Sequence, residues 1–260
     1  RVLPRNNDDI NEEWISDKTR YACDGLKNQR LDAPFIKLNG KFEKTTWKKA
    51  YDILTKKIEN VLPDKIAGII GDLTDMETIY IVKEFFEKTI KSPHIDCRTD
   101  HIFVDNSNRS NYIFNPSING IEQSDLILII GANPRYEATM LNTRIRKSYL
   151  NNDLQIFSLG DVGDLTYPYK ILPNNTSEIE ALINGESELS KKIILAKKPI
   201  IIFGQSFFKL KSAQTLFHQL NDFLNSNNKI NEEWNAIGVI SNNSSTVGAY
   251  DLDLISSENN

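Results

Sequence analysis

The chain alternates short, continuous apolar runs with longer stretches in which apolar residues recur every three or four positions. Four of the runs end in a glycine that is followed by a polar turn: IAGIIGDLTDMET (66–78), LILIIGANPRYEA (126–138), LQIFSLGDVGDLT (154–166) and PIIIFGQSFFKLK (199–211). Apolar runs of about five residues, rich in β-branched side chains, are typical of strands that are buried on both faces. Strands of this kind that alternate with amphipathic helices indicate an α/β fold with a doubly wound, mostly parallel sheet.

The helical spacing predicts four amphipathic helices, each with one buried face. These faces are formed by Trp47, Ala50, Tyr51, Leu54, Ile58 and Val61; by Ile79, Val82, Phe86 and Ile90; by Met140, Leu141, Ile145 and Tyr149; and by Ala213, Leu216, Phe217, Leu220 and Leu224. We predict that Thr46 caps the first helix and that Thr74 and Glu77 form a capping box at the second. A further helix is expected over 177–196 with a break at Gly185, and a strand over 236–240.

The two ends of the chain differ from its middle. Residues 1–42 show no sustained period, so we expect an extended N-terminal lead that lies across another surface as the tail of a preceding domain. The α/β domain is predicted over 43–240, and 241–260 form a polar C-terminal segment that frays. Because the chain starts with Arg instead of Met, we expect a fragment, a processed product or a truncated form.

The composition excludes several classes of protein. Hydrophobic residues make up 40% and charged residues 25% of the 260 residues, and the net charge is −4, so the chain is an ordinary globular one without a general field for nucleic acid or anionic lipid. No apolar run approaches the length of a membrane span. The only two cysteines, Cys23 and Cys97, fit a reducing compartment and cannot complete a four-cysteine metal site.

The glycine turns are the first candidates for chemistry. Ligands of open α/β sheets bind outside the carboxyl ends of the strands, where helix N-termini attract phosphate. The turn in which Asn133 and Pro134 follow Gly131 is the strongest candidate for such a loop. None of the four turns has the spacing of a dinucleotide-binding loop or a P-loop, so the favoured interpretation is that each glycine only permits the turn.

The acidic, histidine and cysteine residues form no recognisable catalytic or metal-binding pattern. The carboxylates of Asp72, Asp75, Glu77, Asp161 and Asp164 are interpreted as structural, because acids favour the first turn of a helix. The three histidines, His94, His101 and His218, are too scattered for a zinc site, and His218 is expected to be partly exposed. No motif places a His–Asp pair beside Cys97, which is interpreted as inert. The basic run Arg144–Lys147 is a weak nucleic-acid signal, and a surface for a partner protein is the alternative.

Three stretches carry a specific resemblance. They are RVLPRNNDDINEEWISDKTRYACDGLKNQRLDAPF (1–35), NYIFNPSINGIEQSDLILIIGANPRYEATMLNTRIRKSYL (111–150) and LGDVGDLTYPY (159–169). In order and spacing they resemble the large iron–sulfur subunits of respiratory complex I, the NADH:ubiquinone oxidoreductase. That family in turn resembles the molybdopterin oxidoreductases, and the likeness covers nearly the whole chain.

The resemblance implies roles for particular residues. Iron–sulfur clusters are expected in a part of the subunit that precedes residue 1, so that this chain itself binds no cofactor and has no catalytic residue. Cys23, followed by Asp24 and Gly25, stands where molybdenum relatives place the last cysteine of an extra [4Fe–4S] cluster, and we expect a vestigial ligand. Gly131, Asn133 and Arg135 would be the vestige of a loop that meets a pterin-guanine dinucleotide.

The resemblance therefore implies a structural, non-catalytic region of the peripheral arm of complex I, which supports electron transfer from NADH to ubiquinone through clusters carried elsewhere. The alternatives are a fragment of an active molybdopterin-guanine-dinucleotide oxidoreductase and a stand-alone nucleotide-binding module. The expected partners are the other peripheral-arm subunits and the rest of the large iron–sulfur subunit, with no nucleic acid and no membrane insertion. The expected location is the matrix side of the mitochondrial inner membrane or, alternatively, the cytoplasmic face of a bacterial membrane.

Overall fold

A computed structural model describes residues 2–71, 73–98 and 102–255. The predictions for Asp72 and His101 fall outside these residues. The chain divides into two compact units: a smaller unit of residues 1–3, 17–99 and 248–260, and a larger unit of residues 4–16 and 100–247. The expected division into a lead of 1–42, an α/β domain of 43–240 and a C-terminal segment of 241–260 stays a prediction.

The smaller unit is built from short elements. In chain order they are helix α1 (Asp17–Tyr21) with a 3₁₀ turn at Ala22–Leu26, the antiparallel hairpin of β1 (Phe35–Leu38) and β2 (Lys41–Lys44), helix α2 (Trp47–Glu59), strand β3 (Gly68–Ile69), helix α3 (Met76–Glu84) with a π-helical continuation to Ile90, and strand β4 (Ile95–Asp96). Strands β3 and β4 pair in parallel.

The helix caps of this unit test two predictions. Thr46 caps α2 as predicted, because its side chain accepts a hydrogen bond from the Lys49 amide at 3.3 Å. The predicted capping box of Thr74 and Glu77 is wrong: Asp75, in extended conformation directly before the helix, accepts from the Thr78 amide at 2.9 Å. The helix thus begins one residue later than predicted, and Asp75 is the residue within reach of the third helical amide.

The predicted apolar face of α2 exists but is not buried. Trp47, Tyr51 and Leu54 are 60%, 58% and 51% exposed, and no residue of α2 is buried. The rings of Trp47 and Tyr51 stack on each other, with their centroids 5.6 Å apart. The spacing correctly predicted the helix, but burial of its apolar face requires a neighbouring element, which periodicity does not reveal. In contrast, Ile79, Phe86 and Ile90 are buried as predicted.

The larger unit holds the main sheet. Its elements are β5 (Leu126–Ile130), α4 (Pro134–Glu137), α5 (Thr139–Asn151), β6 (Gln155–Leu159), β7 (Lys170–Leu172), α6 (Thr176–Ile183), α7 (Glu188–Leu195), β8 (Pro199–Phe203), α8 (Gln205–Phe208), α9 (Ala213–Ser226) and β9 (Ile237–Val239), with 3₁₀ turns at Arg109–Asn111 and Asn119–Gln123. Helix α10 (Thr246–Asp251) follows in the chain, and its residues from 248 onward belong to the smaller unit.

The five strands form a parallel sheet in the order β7–β6–β5–β8–β9. Leu128 at the centre of β5 pairs with Phe157 of β6 on one side and Ile201 of β8 on the other. Every residue of β5 and β8 is buried, because helices of the doubly wound fold cover both faces. The predicted α/β class with a doubly wound, mostly parallel sheet is confirmed.

The helices of the larger unit pack as the pattern predicted. All five residues of the predicted face of α9 are buried, and Phe217 of this face joins a cluster with Phe203, Phe207 and Phe208. The expected helix over 177–196 is interrupted between α6 and α7, where Gly185 has a φ of +75°. Within the described ranges, no helix combines the length and hydropathy needed to cross a bilayer.

Candidate functional site at the carboxyl ends of the strands

A cavity of 550 Å³ lies at the carboxyl ends of β5, β6 and β8. The chain winds from β5 to β6 in one direction, whereas β8 lies on the other side of β5, so the cavity occupies the switch point where open α/β sheets bind ligands. It is lined by Ile130–Asn133, Glu137, Leu159–Val162, Asn174–Thr176, Ile179, Ser206, Phe207 and Leu210.

Two glycines allow the turns after β5 and β8 to approach each other. Gly131 has a φ of +63°, and a Cβ there would lie 2.6 Å from the Phe207 amide nitrogen. A Cβ on Gly204 would lie 2.1 Å from the Gly131 carbonyl oxygen. Neither distance can accommodate a side chain, so both glycines are needed for backbone packing beside the cavity.

In the predicted ligand loop, the backbone amide and the side chain of Asn133 are already paired. The Asn133 amide donates to the Glu137 carboxylate at 2.8 Å, and the Asn133 side chain accepts from the Arg135 amide at 3.2 Å and donates to the Val162 carbonyl at 2.8 Å. The Asn133 amide that a phosphate would need is therefore bonded to a carboxylate of the same turn.

Arg135 is held outside the cavity lining. Its guanidinium donates to the Asp164 carboxylate at 2.6 Å and to the Asp164 carbonyl at 2.7 Å. The Thr166 amide and the Arg135 guanidinium lower the pKa of the Asp164 carboxyl. The Gly163 amide and the Tyr169 hydroxyl likewise lower the pKa of the Asp161 carboxyl. Each aspartate accepts a hydrogen bond from the amide two positions further on, but both lie between β6 and β7 and not in the first turn of a helix as expected.

The cavity does not fit the anionic group that the resemblance to molybdopterin oxidoreductases implies there. A pterin dinucleotide carries phosphates, which are bound by backbone amides and cationic side chains. The described lining contains the carboxylates of Glu137 and Asp161 but no Lys or Arg side chain. A phosphate entering the cavity would lie near two carboxylates without a cation of the described lining to offset them.

Both thiols of the chain, Cys23 and Cys97, lie in the smaller unit. Cys23 is half-buried in the turn after α1, and Cys97 is buried beside β4. Among the described residues there is no group of three His, Cys, Asp or Glu side chains that could hold a metal ion. A vestigial role for Cys23 stays a prediction, because a cluster requires further ligands beyond this thiol.

A charge cluster on α5 was not foreseen from the sequence. Arg144, with a side chain only 6% exposed, lies 3.1 Å from the Glu12 carboxylate and 2.5 Å from the Glu122 carboxylate. Lys147 contacts the same two carboxylates at 2.5 and 2.9 Å. Two members of the basic run Arg144–Lys147 are therefore engaged within the chain. No local pattern could reveal this, because Glu122 is 22 positions from Arg144 and Glu12 is 135 positions from Lys147.

A second unforeseen pair joins α9 to the segment around Asp105. The His218 ring nitrogen lies 3.0 Å from the carboxylate of Asp105, which also accepts from Ser107 and Asn111. Burial opposes ionisation of Asp105, but the hydrogen bonds from Ser107 and His218 outweigh it and lower the pKa. His218 is partly exposed, as predicted. His94 lies elsewhere, directly before β4 in the smaller unit.

Sequence comparison places the chain among known proteins. Residues 30–260 match the molybdopterin oxidoreductase family, and residues 1–24 match the 4Fe–4S domain family of NADH-ubiquinone oxidoreductase NDSU1/NuoG-like proteins. The chain belongs to the molybdopterin oxidoreductase family.

Individual proteins that resemble this chain indicate a narrower group within this family. The chain is 36% identical to the NADH-ubiquinone oxidoreductase 75 kDa subunit of Reclinomonas americana, over 98% of this chain and 39% of the relative. It is 39% identical to the NADH-ubiquinone oxidoreductase 78 kDa subunit of Candida albicans, over 97% and 35%, and 36% identical to an NADH-quinone oxidoreductase subunit of Rickettsia prowazekii, over 97% and 37%. The resemblance to the large subunits of complex I is confirmed, although the chain spans less than two fifths of each relative's length.

Proposed function

We propose that the chain is a structural, non-catalytic region of the peripheral arm of complex I. The single observation that carries this proposal is the cavity at the switch point, whose Asn133 amide is bonded to Glu137 and whose described lining contains carboxylates without a cation. In this interpretation Gly131, Asn133 and Arg135 serve turn geometry, and the ancestral ligand site no longer binds its dinucleotide.

The names of the relatives support membership in complex I, because those proteins are subunits of NADH-ubiquinone or NADH-quinone oxidoreductases. Electrons would pass from NADH to ubiquinone through iron–sulfur clusters held outside this chain. The partners would be the other peripheral-arm subunits and the remaining part of the large iron–sulfur subunit. The location would be the matrix side of the mitochondrial inner membrane or the cytoplasmic face of a bacterial membrane.

The physical task of such a region is to exclude water and to hold its neighbours in place. The fully buried strands β5 and β8 form a rigid centre for this purpose. Obligate interfaces bury on the order of 2,000 Å² or more and are apolar at their centres. The exposed Trp47, Tyr51 and Leu54 of α2 are the kind of side chains that such an interface would cover.

Metal and nucleotide analysis of the isolated chain tests the absence of a cofactor. We expect no stoichiometric iron, molybdenum or tungsten, and no thermal shift with GDP, NADH or NADPH. A nucleotide at 100 times its dissociation constant would add about 2.7 kcal/mol to the stability and would be readily detected. Stoichiometric molybdenum or tungsten together with a pterin would overturn the proposal and favour an active oxidoreductase fragment.

Association with complex I needs its own measurement. The affinity-tagged chain, expressed in its source organism, should co-purify with rotenone-sensitive NADH:ubiquinone reductase activity. A matched preparation carrying the tag alone is the control. Recovery of the chain without complex I subunits would contradict the proposal.

A further inference from the structure

The loop of residues 4–16, which belongs to the larger unit, is held by its own internal hydrogen bonds. Asn7 and Glu12 close it with an antiparallel bridge, in which the Glu12 amide donates to the Asn7 carbonyl at 2.7 Å. The Asn11 side-chain amide donates to the carbonyls of Arg5, Glu12 and Trp14 at 2.9, 3.0 and 3.1 Å. Because the Asn11 side chain contacts three separate points of the loop backbone, the loop has a defined conformation.

The charge cluster attaches this loop to α5. Glu12 of the loop shares Arg144 and Lys147 with Glu122, and the Arg144 guanidinium also donates to the Asp8 carbonyl. A further hydrogen bond of 2.9 Å joins the Asn119 side chain to the carboxylate of Asp9. Arg144 is almost fully buried, and removing it would leave Lys147 as the one cation that still contacts both carboxylates, which is costlier than loss of an exposed pair.

The attached loop leaves two large apolar side chains uncovered. Ile10 is 49% and Trp14 is 57% exposed, whereas the polar residues Asn11 and Glu12 between them are half-buried. Tryptophan is enriched among the interface residues that contribute most to binding energy. An exposed Trp14 on a backbone of defined conformation is therefore a candidate interface residue.

The loop of residues 4–16 lies within a segment whose family match indicates the binding partner. Residues 1–24 match a 4Fe–4S domain family, whereas the loop's polar contacts are made to the α/β unit. A segment that is related to one kind of domain and fixed to another is suited to join the two.

We propose that the loop of residues 4–16, fixed to α5 by Glu12, Glu122, Arg144 and Lys147, is the docking surface for a 4Fe–4S domain, with Ile10 and Trp14 as its apolar anchors. This inference rests on the proposed function, because the assembled enzyme supplies the partner. The cluster positions the loop, and Ile10 and Trp14 make the contact.

Oxidative footprinting and cross-linking in the assembled enzyme test the docking. Hydroxyl-radical oxidation of Trp14 should fall by about fivefold from the isolated chain to the assembled enzyme, as expected for an interface anchor that loses its solvent. Trp234, which is 9% exposed, is the internal control and should react slowly in both. A photo-cross-linker, introduced as Trp14→p-benzoylphenylalanine, should join a peptide of a 4Fe–4S domain.

The outcomes separate the two proposals. If the chain is present in complex I but Trp14 is oxidised as fast as in isolation, or cross-links to a polypeptide without a 4Fe–4S domain, the docking inference is overturned and the structural function stands. If the chain is absent from purified complex I, the proposed function fails and the inference fails with it.

Hydrogen exchange tests the attachment within the chain itself. Arg144→Gln should make amides of residues 7–14 exchange about tenfold faster, because removing the buried cation of the cluster frees the loop. Arg146→Gln is the matched control, since Arg146 lies outside the cluster and donates to the Thr166 carbonyl. Glu12→Gln changes the loop alone and covers the case in which Arg144→Gln fails to fold. Unchanged exchange in a folded variant of either kind would overturn the positioning role.

Discussion

Ser158 has a hydroxyl group for which no described residue provides a hydrogen bond, although the residue is fully buried in β6. An unpaired buried hydroxyl carries a desolvation cost that a methyl group does not. We expect Ser158→Ala to raise the free energy of unfolding by about 1 kcal/mol, measured by urea denaturation.

Ser124 is the matched control for this substitution. It is also buried, but its hydroxyl donates to the Leu126 carbonyl at 3.0 Å. Ser124→Ala should therefore lower the free energy of unfolding by about 1 kcal/mol. A loss of stability in Ser158→Ala comparable to that in Ser124→Ala would mean that the Ser158 hydroxyl has a favourable partner after all.

Single residues could be predicted from the sequence where their role is local. Thr46 stands directly before a helical pattern, so its capping bond to an amide three positions later follows from the sequence. The bond between Glu137 and the Asn133 amide is equally local, but a polar turn offers several pairings of similar energy and the sequence does not choose among them. The contact of His218 with Asp105 spans 113 positions and depends on the tertiary fold.

At the scale of elements, the start of α3 gives a test of the revised cap. Asp75 accepts from the Thr78 amide and hydroxyl, both at 2.9 Å, and these bonds lower the pKa of its carboxyl. Asp75→Ala should make the amides of the first turn of α3 exchange about fivefold faster, whereas Asp75→Asn, which retains an acceptor, should accelerate them less. Hydrogen exchange is the measurement, and rates in Asp75→Ala that match those of the unmodified chain would contradict the assignment of the cap.

The attachment of the 4–16 loop to α5 should depend on pH through Glu122. Burial opposes ionisation of this carboxyl, but hydrogen bonds from Lys147 and Arg144 outweigh it, so the pKa in the folded state is lowered from its ordinary value of 4.5. A lowered carboxyl pKa means that the stabilisation is fully present above pH 4.5 and is lost as the pH falls through the folded-state value.

We therefore expect Glu122→Gln to accelerate loop exchange relative to the unmodified chain at pH 7, and the difference to shrink as the pH falls below 4.5. The measurement is the ratio of exchange rates of the two proteins at each pH, in which the intrinsic pH dependence cancels. Glu13→Gln is the control, because Glu13 is an exposed loop carboxylate outside the cluster. A ratio that stays constant from pH 7 to pH 3 would contradict a role for the Glu122 charge.

Among the elements, the strands that lie at the centre of the sheet were the most predictable. Strands β5 and β8 are continuous apolar runs because both faces are covered, and this leaves a clear signal in the sequence. The edge strand β7 has three mostly exposed residues, so it leaves no such signal. The hairpin of β1 and β2 is exposed on nearly all its residues and was likewise missed.

At the scale of the whole molecule, the fold class could be predicted but the division into two units could not. The repeated apolar run that ends in glycine occurs in both units, since it includes the run at 66–78 as well as the three later runs. The pattern reports which elements form, whereas the units depend on which elements pack together. The candidate site was likewise only partly predictable. The sequence located the turn at Gly131, and the structure revealed the hydrogen bond between the Asn133 amide and the Glu137 carboxylate.

The two units should differ in stability because they differ in burial. The larger unit contains a continuous hydrophobic core around β5, β8 and α9, whereas the smaller unit has the unburied helix α2 and an exposed hairpin. Local stability follows the amount of buried apolar surface, so the isolated chain should lose the smaller unit first as urea is raised. Hydrogen exchange measured at increasing urea should show amides of α2 and α3 opening well before those of β5 and β8, and Trp47→Phe should leave the later transition unchanged. Simultaneous opening of both sets of amides would show that the two units unfold as one. In that case the exposed face of α2 would not make the smaller unit less stable than the larger one.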